Sequence, residues 1–497
     1  MTLGPVPRPK ISRNTYGLLL HQARRVAAAH SGPEGRLACP TMTTPVTADP
    51  ADAATPPTGR AGRELRWDLL AVLAGVGLVV ASALQGRRLL DAGVDIFLGF
   101  PPLLAAWSPH LGPGTPAAIA IAAIVVVSGP GLAARLRWYT LLTVGWLSAV
   151  GWTLALALVD GWSVGVAGRL TTDQEYLHDV PRVTDIPATL REFTSHLFVD
   201  DPMPWSTHVA GHPPGALLLF AWLDRLGLGG GGPAGLVVIL VGASAVAAVA
   251  VTLRAVGAED VARRMLPFGV LSPGAVWVGV SADGLYAAVL AWGVALLAVG
   301  VAYRGWRADA AALAAGVLLG DVLYLSYGLV LGGLLVAAVI AATRRLRPVL
   351  LAGIGVLAVA VAFTASGFWW LRGYELVRVL YAASITKTRP YEYFIWANLA
   401  ALLFVLGPAV LVGLRRLARH PRTLPTPALL LPTAGLAAIA VADITGLSKG
   451  EVERIWLPFA IWLIIATAQL RTSHRRVWLC GQALLALLVN HLLLTVW

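Results

Sequence analysis

The chain is predicted to be an all-α, polytopic transmembrane helical bundle of about 13 spans (range 11–14), with a long external loop bearing amphipathic helices. Three observations predict it. Hydrophobic residues make up 57% of the sequence and charged residues only 13%, against roughly 25% charged in ordinary soluble domains. The mean hydropathy is +0.73. The apolar residues arrive in long unbroken blocks such as 237–251, 285–302 and 349–363. Crossing about 30 Å of hydrocarbon takes roughly 20 apolar residues, and in lipid each segment must satisfy its own backbone groups. The blocks therefore read as helices; a membrane barrel would alternate apolar and polar residues, and these do not.

The first 66 residues, rich in Pro, Ala, Thr and Arg, read as a disordered cytoplasmic tail. Met42 is an alternative start, with 42–66 as a short leader into the first span. The transmembrane domain covers 67–497, with spans near 67–86, 115–134, 138–158, 234–253, 265–281, 284–303, 308–323, 327–343, 348–366, 395–414, 427–443, 455–470 and 477–496.

The net charge of +12 does not mark a nucleic-acid partner. The basic residues cluster in the tail and in short loops (Arg135/Arg137, Arg344/Arg345/Arg347, Arg415/Arg416/Arg419, Arg475/Arg476), which is the positive-inside pattern of a multi-pass protein in the cell membrane. With those loops and the N-terminus cytoplasmic, 160–212, 281–284, 368–394 and 447–454 face outward. The two orientation readings agree if 212–232 is half-inserted, since Ala216–Leu223 is too short to span. Cys39 and Cys480 make no disulfide framework.

The longest polar stretch, 160–212, holds the first candidate residues. Asp173-Gln-Glu175-Tyr176-Leu-His178-Asp179 is its densest cluster. On a helix Glu175 and Asp179 lie one turn apart, a spacing suited to a divalent cation or to a carboxylate acting as general base, and one that solvated surface helices share. In His208-Val-Ala-Gly-His212-Pro213-Pro214-Gly215 the two prolines fix the chain where it re-enters the membrane, holding His212 at the interface; prolines at a helix start have the same signature. Asp283 interrupts two apolar helices, where an unpaired carboxylate is costly. Tyr327 marks a similar break, and Lys387 and Arg389 flank an aromatic belt. Finally, Lys449, Glu451, Glu453 and Arg454 precede a late span on the side that should be poor in basic residues. Lys449 and Arg454 suit a lipid phosphate or diphosphate, Arg the better bidentate partner.

A long acidic loop closed by His-Pro-Pro, then Pro273…Ser281-Ala-Asp283, then the Glu451…Arg454 cluster together resemble the GT-C superfamily of polytopic glycosyltransferases. The likeness is strongest to the protein mannosyltransferase and aminoarabinose transferase branch, and Ser326-Tyr327-Gly328, Arg389-Pro390-Tyr391 and Gly450-Glu451 look like segments of actinobacterial membrane proteins of this type. It covers roughly 67–470 and rests on short motifs. It implies transfer of a sugar from a polyprenyl-phosphate donor to a glycan, lipid or protein acceptor outside the cytoplasmic membrane. Asp173 or Glu175 would be the catalytic base. Asp179, His212, Asp283, Tyr327, Lys387, Arg389, Glu451 and Arg454 would bind substrate, with a divalent cation an open question. The sequence departs from the family in its loop order. The catalytic Asp there usually follows the first helix, which here points to Asp91 or Asp95; two extra N-terminal spans before the shared module would restore Asp173 and Glu175. The rival readings are a transporter or lipid flippase, and a non-enzymatic protein of envelope assembly.

Overall fold

The computed structural model describes residues 58–198, 200–341 and 345–496; the sequence up to residue 57, including Met42 and Cys39, lies outside it. Nine helices among the described residues are long and apolar enough to cross a membrane. They are α1 (Gly62–Asp91), α2 (Thr115–Arg135), α3 (Trp138–Asp160), α4 (Gly231–Ala255), α5 (Ala282–Ala302), α6 (Trp306–Leu325), α7 (Leu346–Ala365), α8 (Tyr391–Arg419) and α9 (Thr426–Ile444). About 13 was the expectation. The other four segments are shorter, broken or less apolar. The expected 265–281 span divides into Glu259–Val270 and Ala275–Val278 across a turn. Tyr327–Ala341 and Leu457–Gln469 are apolar but short, and Arg475–Leu492 is diluted by Gln482, Asn490 and His491. Helix also begins at Thr58, inside the stretch expected to be tail.

Burial grades from centre to rim. Two thirds of the most apolar window is buried in α4 and α5 (67%), against 11% in α1. The outward face of α1 (Leu69, Leu70, Leu73, Val76, Val80, Leu84) is at least half exposed. Water would not tolerate so long an apolar surface, and hydrocarbon would.

Two sets of polar groups inside the bundle are satisfied locally. α8 bends at Gly407, whose φ of 70° only glycine adopts cheaply, followed by Pro408. The backbone groups released by the kink are recovered by Gln482 of the last helix, which accepts from Ala409 N at 3.1 Å and donates to Leu406 O at 2.9 Å. At the end of the bundle away from the long loop, Asp68 of α1 is fully buried. It accepts from Arg415 Nε at 3.0 Å and from Arg416 Nε at 3.1 and 3.2 Å, while Arg415 also reaches Glu64 at 2.7 Å.

The only paired strands among the described residues are β1 (Ala105–Trp107) and β2 (Leu493–Thr495), antiparallel. They lie at the loop end, tied by Arg169, which bonds both Thr495 O and Asp160.

The long loop contains short helices Tyr176–Asp179, Ile186–Glu192 and Thr207–Gly211. Its aromatic side chains join the core of the bundle: Phe193 stacks on Trp205 and meets Phe368 edge-on, with ring centroids 5.6 and 5.7 Å apart. Arg182 lies over the Trp205 ring at 3.9 Å. The segment 214–223 is a ten-residue helix starting at its two prolines. At 1.5 Å per residue it is about 15 Å long, half a membrane thickness.

Candidate functional site

Two distant parts of the loop run side by side. His208 N donates to Gln174 O at 3.0 Å, and Ser206 Oγ to Glu175 O at 3.4 Å. This places Glu175 against His208, with Oε1 2.9 Å from Nδ1. On its other side His208 presents Nε2 to Arg454 Nη2 at 3.2 Å. Arg454 in turn binds Asp283 Oδ2 at 2.6 Å and Glu451 Oε2 at 2.9 Å. Glu451 Oε1 meets Arg389 at 3.3 Å. Five residues singled out in the sequence (Glu175, Asp283, Arg389, Glu451, Arg454) thus form one network, joined through His208.

Each member is held by its backbone. Asp283 sits in the first turn of α5, beyond the cap residue Ser281, where the helix dipole favours a carboxylate. Gly450 (φ 86°) and Glu451 (φ 61°) are both left-handed. A non-glycine residue there costs of order 1 kcal/mol, and the turn aims Glu451 between the two arginines. Asn398 of α8 fixes that turn, donating to Ser448 O at 2.7 Å and accepting from Gly450 N at 3.1 Å. Arg389 donates to Ile96 O at 3.1 Å, drawing the α1–α2 connection into the site. Lys449 Nζ donates to the carbonyls of Thr386 and Arg389 at 3.1 and 3.0 Å.

Burial alone would raise the Glu451 carboxyl, but Arg454 and Arg389 outweigh it and hold it below the usual range. Arg454 is buried, which works against its charge, yet Asp283, Glu451 and Glu175 keep it more firmly protonated than a free arginine. Glu453 is fully buried as well. Neither of its oxygens has a side-chain partner. Desolvation pushes it up to about 7, with Glu451 adding to the effect and backbone N–H groups and Arg454 opposing it.

His212 belongs to a neighbouring aromatic wall. Its Nδ1 lies 2.7 Å from His208 O, so Nδ1–H donates. Part of the residue still reaches the surface, but the ring is enclosed by Tyr176 at 5.9 Å and Tyr286 at 6.2 Å. Loss of hydration lowers it to about 4, against the pull of Asp283. His212 is therefore neutral near pH 7 and supplies no cation. Burial likewise raises the Tyr176 hydroxyl well above its ordinary range.

Other expected residues lie elsewhere. The Asp173 side chain is 99% exposed, with His178 at 4.0 Å as its ion-pair neighbour. Glu175 precedes the short helix instead of lying on it, so Glu175 and Asp179 do not share a face. Asp179 staples the loop, accepting from Arg182 at 2.7 Å and Ser206 N at 2.8 Å. Tyr327 packs with Trp370 and Tyr374, centroids 5.3 and 5.8 Å away. Lys387 is exposed, as are Asp91 and Asp95, and the Asp95 carboxylate caps Phe97 N at 2.8 Å. Among the described residues no three His, Cys, Asp or Glu side chains converge as a metal-ligand set. His208 stood in the sequence only as half of a His-x-x-x-His pair, and Tyr286 carried no signal there.

Between α4, α5, α6, α7 and the 214–223 helix lies a cavity of about 650 Å³. Its wall includes Gly215 and Leu285, which closely follow His212 and Asp283 in sequence, and Asp321 is the one charged residue of its lining. The network's own charged residues do not line it. The chain matches no protein-family model and no curated protein.

Proposed function

We propose that the protein is a membrane glycosyltransferase that moves a sugar from a polyprenyl-phosphate donor to an envelope acceptor at the outer face of the cell membrane. The observation that carries this reading is the buried chain Glu175–His208–Arg454, with Asp283 and Glu451 on the same guanidinium. It joins a proton acceptor to a cation suited to phosphate. The cavity is apolar over most of its wall, which suits the donor's lipid chain. Glu175 supplies the carboxylate that drives proton removal from the acceptor hydroxyl, and Arg454 and Arg389 offset the charge developing on the leaving phosphate. The phosphate must draw these arginines from their carboxylate partners, so its binding rearranges the network.

The test is transfer of label from radiolabelled polyprenyl-phosphate monosaccharides in membranes containing the protein. Activity that vanishes in Glu175→Gln and persists in Asp173→Asn supports the reading; full activity in both variants overturns it. One observation favours a transporter instead: Asp321, a carboxylate within a span and on the cavity wall. Asp321→Asn should then abolish substrate movement, whereas a transferase tolerates it.

A further inference from the structure

The hydrogen bonds around His208 fix its proton. Arginine has donors and no acceptor, so the His208 Nε2 that lies 3.2 Å from Arg454 Nη2 must be the accepting nitrogen. The single ring proton is then on Nδ1, where Glu175 Oε1 takes it at 2.9 Å. His208 is buried and belongs to the loop, while Arg454 belongs to the turn before a late apolar helix. The two can separate without breaking either element. The basic lone pair of the site is therefore present but capped, and its cap is the group best suited to grip a phosphate.

We propose that His208 Nε2 is the general base of the site, oriented by Glu175 and uncapped when a substrate phosphate draws Arg454 away. The proposal rests on the transferase reading and adds regulation to it: the base becomes available only once the donor is seated. In the step itself the acceptor oxygen forms its bond to the anomeric carbon as its proton passes to His208 Nε2. The carbon–oxygen bond to the phosphate breaks, and the phosphate leaves with the electron pair, held by Arg454. His208 becomes an imidazolium whose Nδ1–H remains on the Glu175 carboxylate. Glu175 is thereby a positioning residue, and the Asp283–Arg454 pair resets the cap once the phosphate departs.

Nitrogen NMR on protein carrying ¹⁵N-histidine tests this without turnover, the His208 signals being assigned by their loss in His208→Gln. Near pH 7 the ring should show a protonated Nδ1 and a bare Nε2. An Nε2-protonated or doubly protonated ring overturns the proposal. In Arg454→Gln the ring should take its second proton at a pH at least one unit higher than in the wild type, a tenfold gain in proton affinity. In Glu175→Gln the shift should be of similar size and opposite sign. A ring not in contact with both groups would move in neither, and a ring held only for the fold would not respond to a phosphate ligand. Should Arg454→Gln fail to fold, the wild-type tautomer and the Glu175→Gln shift decide. Farnesyl phosphate added to the wild type should reproduce the Arg454→Gln shift. Binding of this probe without the shift overturns the gating. No binding at all counts against the transferase reading and with it the gating, while the tautomer result stands apart.

Discussion

The two ends of the bundle each bury a set of arginine–carboxylate pairs, and the sets differ in what they leave over. At the tail end, Asp68 is saturated by Arg415 and Arg416, both from the last turns of α8. The carboxylates there join α1 to α8, and the remaining Arg416 donor reaches Gln469 O at 3.2 Å. At the loop end, Arg454 is shared among Asp283, Glu451 and His208, drawn from separate elements. That set also includes a histidine with an accepting nitrogen and adjoins Glu453, whose carboxyl burial pushes up to about 7. A buried ion pair is weak evidence of stability, since desolvation offsets much of its Coulomb gain. The difference teaches that pairing alone does not identify a site; convergence from many elements, with proton-accepting capacity left over, does.

The largest effect that would sharpen or break this contrast comes from the paired variants Arg454→Gln and Arg416→Gln. Each removes an arginine partner from a buried carboxylate and should cost about 3–5 kcal/mol in stability, measured by unfolding in detergent. Only Arg454→Gln should also lower transfer per folded molecule, by a factor of roughly 100 or more. Equal activity losses would erase the distinction between the two ends. Next, Glu175→Gln should slow transfer about 10²–10⁴-fold, while the exposed Asp173→Asn leaves the rate nearly unchanged.

A smaller effect concerns pH. Glu453 holds its proton up to about 7, against 4.5 for an ordinary Glu. The folded state therefore binds this proton more tightly than the unfolded chain. Its stabilising contribution is complete below the unfolded value, falls as pH rises between 4.5 and about 7, and is absent above. Glu453→Gln should accordingly stabilise the protein at pH 8 by up to about 3 kcal/mol, and change little at pH 4.5. Unfolding curves at the two pH values check this; equal shifts would contradict the buried-acid account. The smallest change is in the cavity. Leu219→Trp, which narrows it, should raise KM for a lipid-linked donor about tenfold while kcat stays close to wild type.

Much of this was legible in the sequence for one physical reason: charge beside an apolar block is expensive, so it stands out. Asp283, Arg389, Glu451 and Arg454 were found that way, and all four converge. The membrane class followed from the apolar blocks themselves. Local spacing was a poorer guide. Glu175 and Asp179 suggested one helical face, but the helix starts after Glu175 and Asp179 turns to Arg182. Lys387 lay near Arg389 in sequence, yet Lys449 is the lysine whose ammonium enters the turn. Tyr327 marked a helix break and found aromatic partners instead. His208 carried no signal of its own, because its partners lie far away along the chain on both sides. Nine of the expected spans are long apolar helices; of the other four segments, the one at 265–281 is divided by a turn after Val270 that hydropathy does not register.

The central claim is that the loop-end network holds a lipid phosphate while the tail-end cluster holds only the fold. Native mass spectrometry of the purified protein with a polyprenyl phosphate tests it most directly, on wild type, Arg454→Lys and Arg416→Lys samples that remain monodisperse. The account predicts that the lipid stays bound to the wild type and Arg416→Lys and is lost from Arg454→Lys, where the bidentate fork is gone. Equal retention by all three, or loss from Arg416→Lys alone, would contradict it.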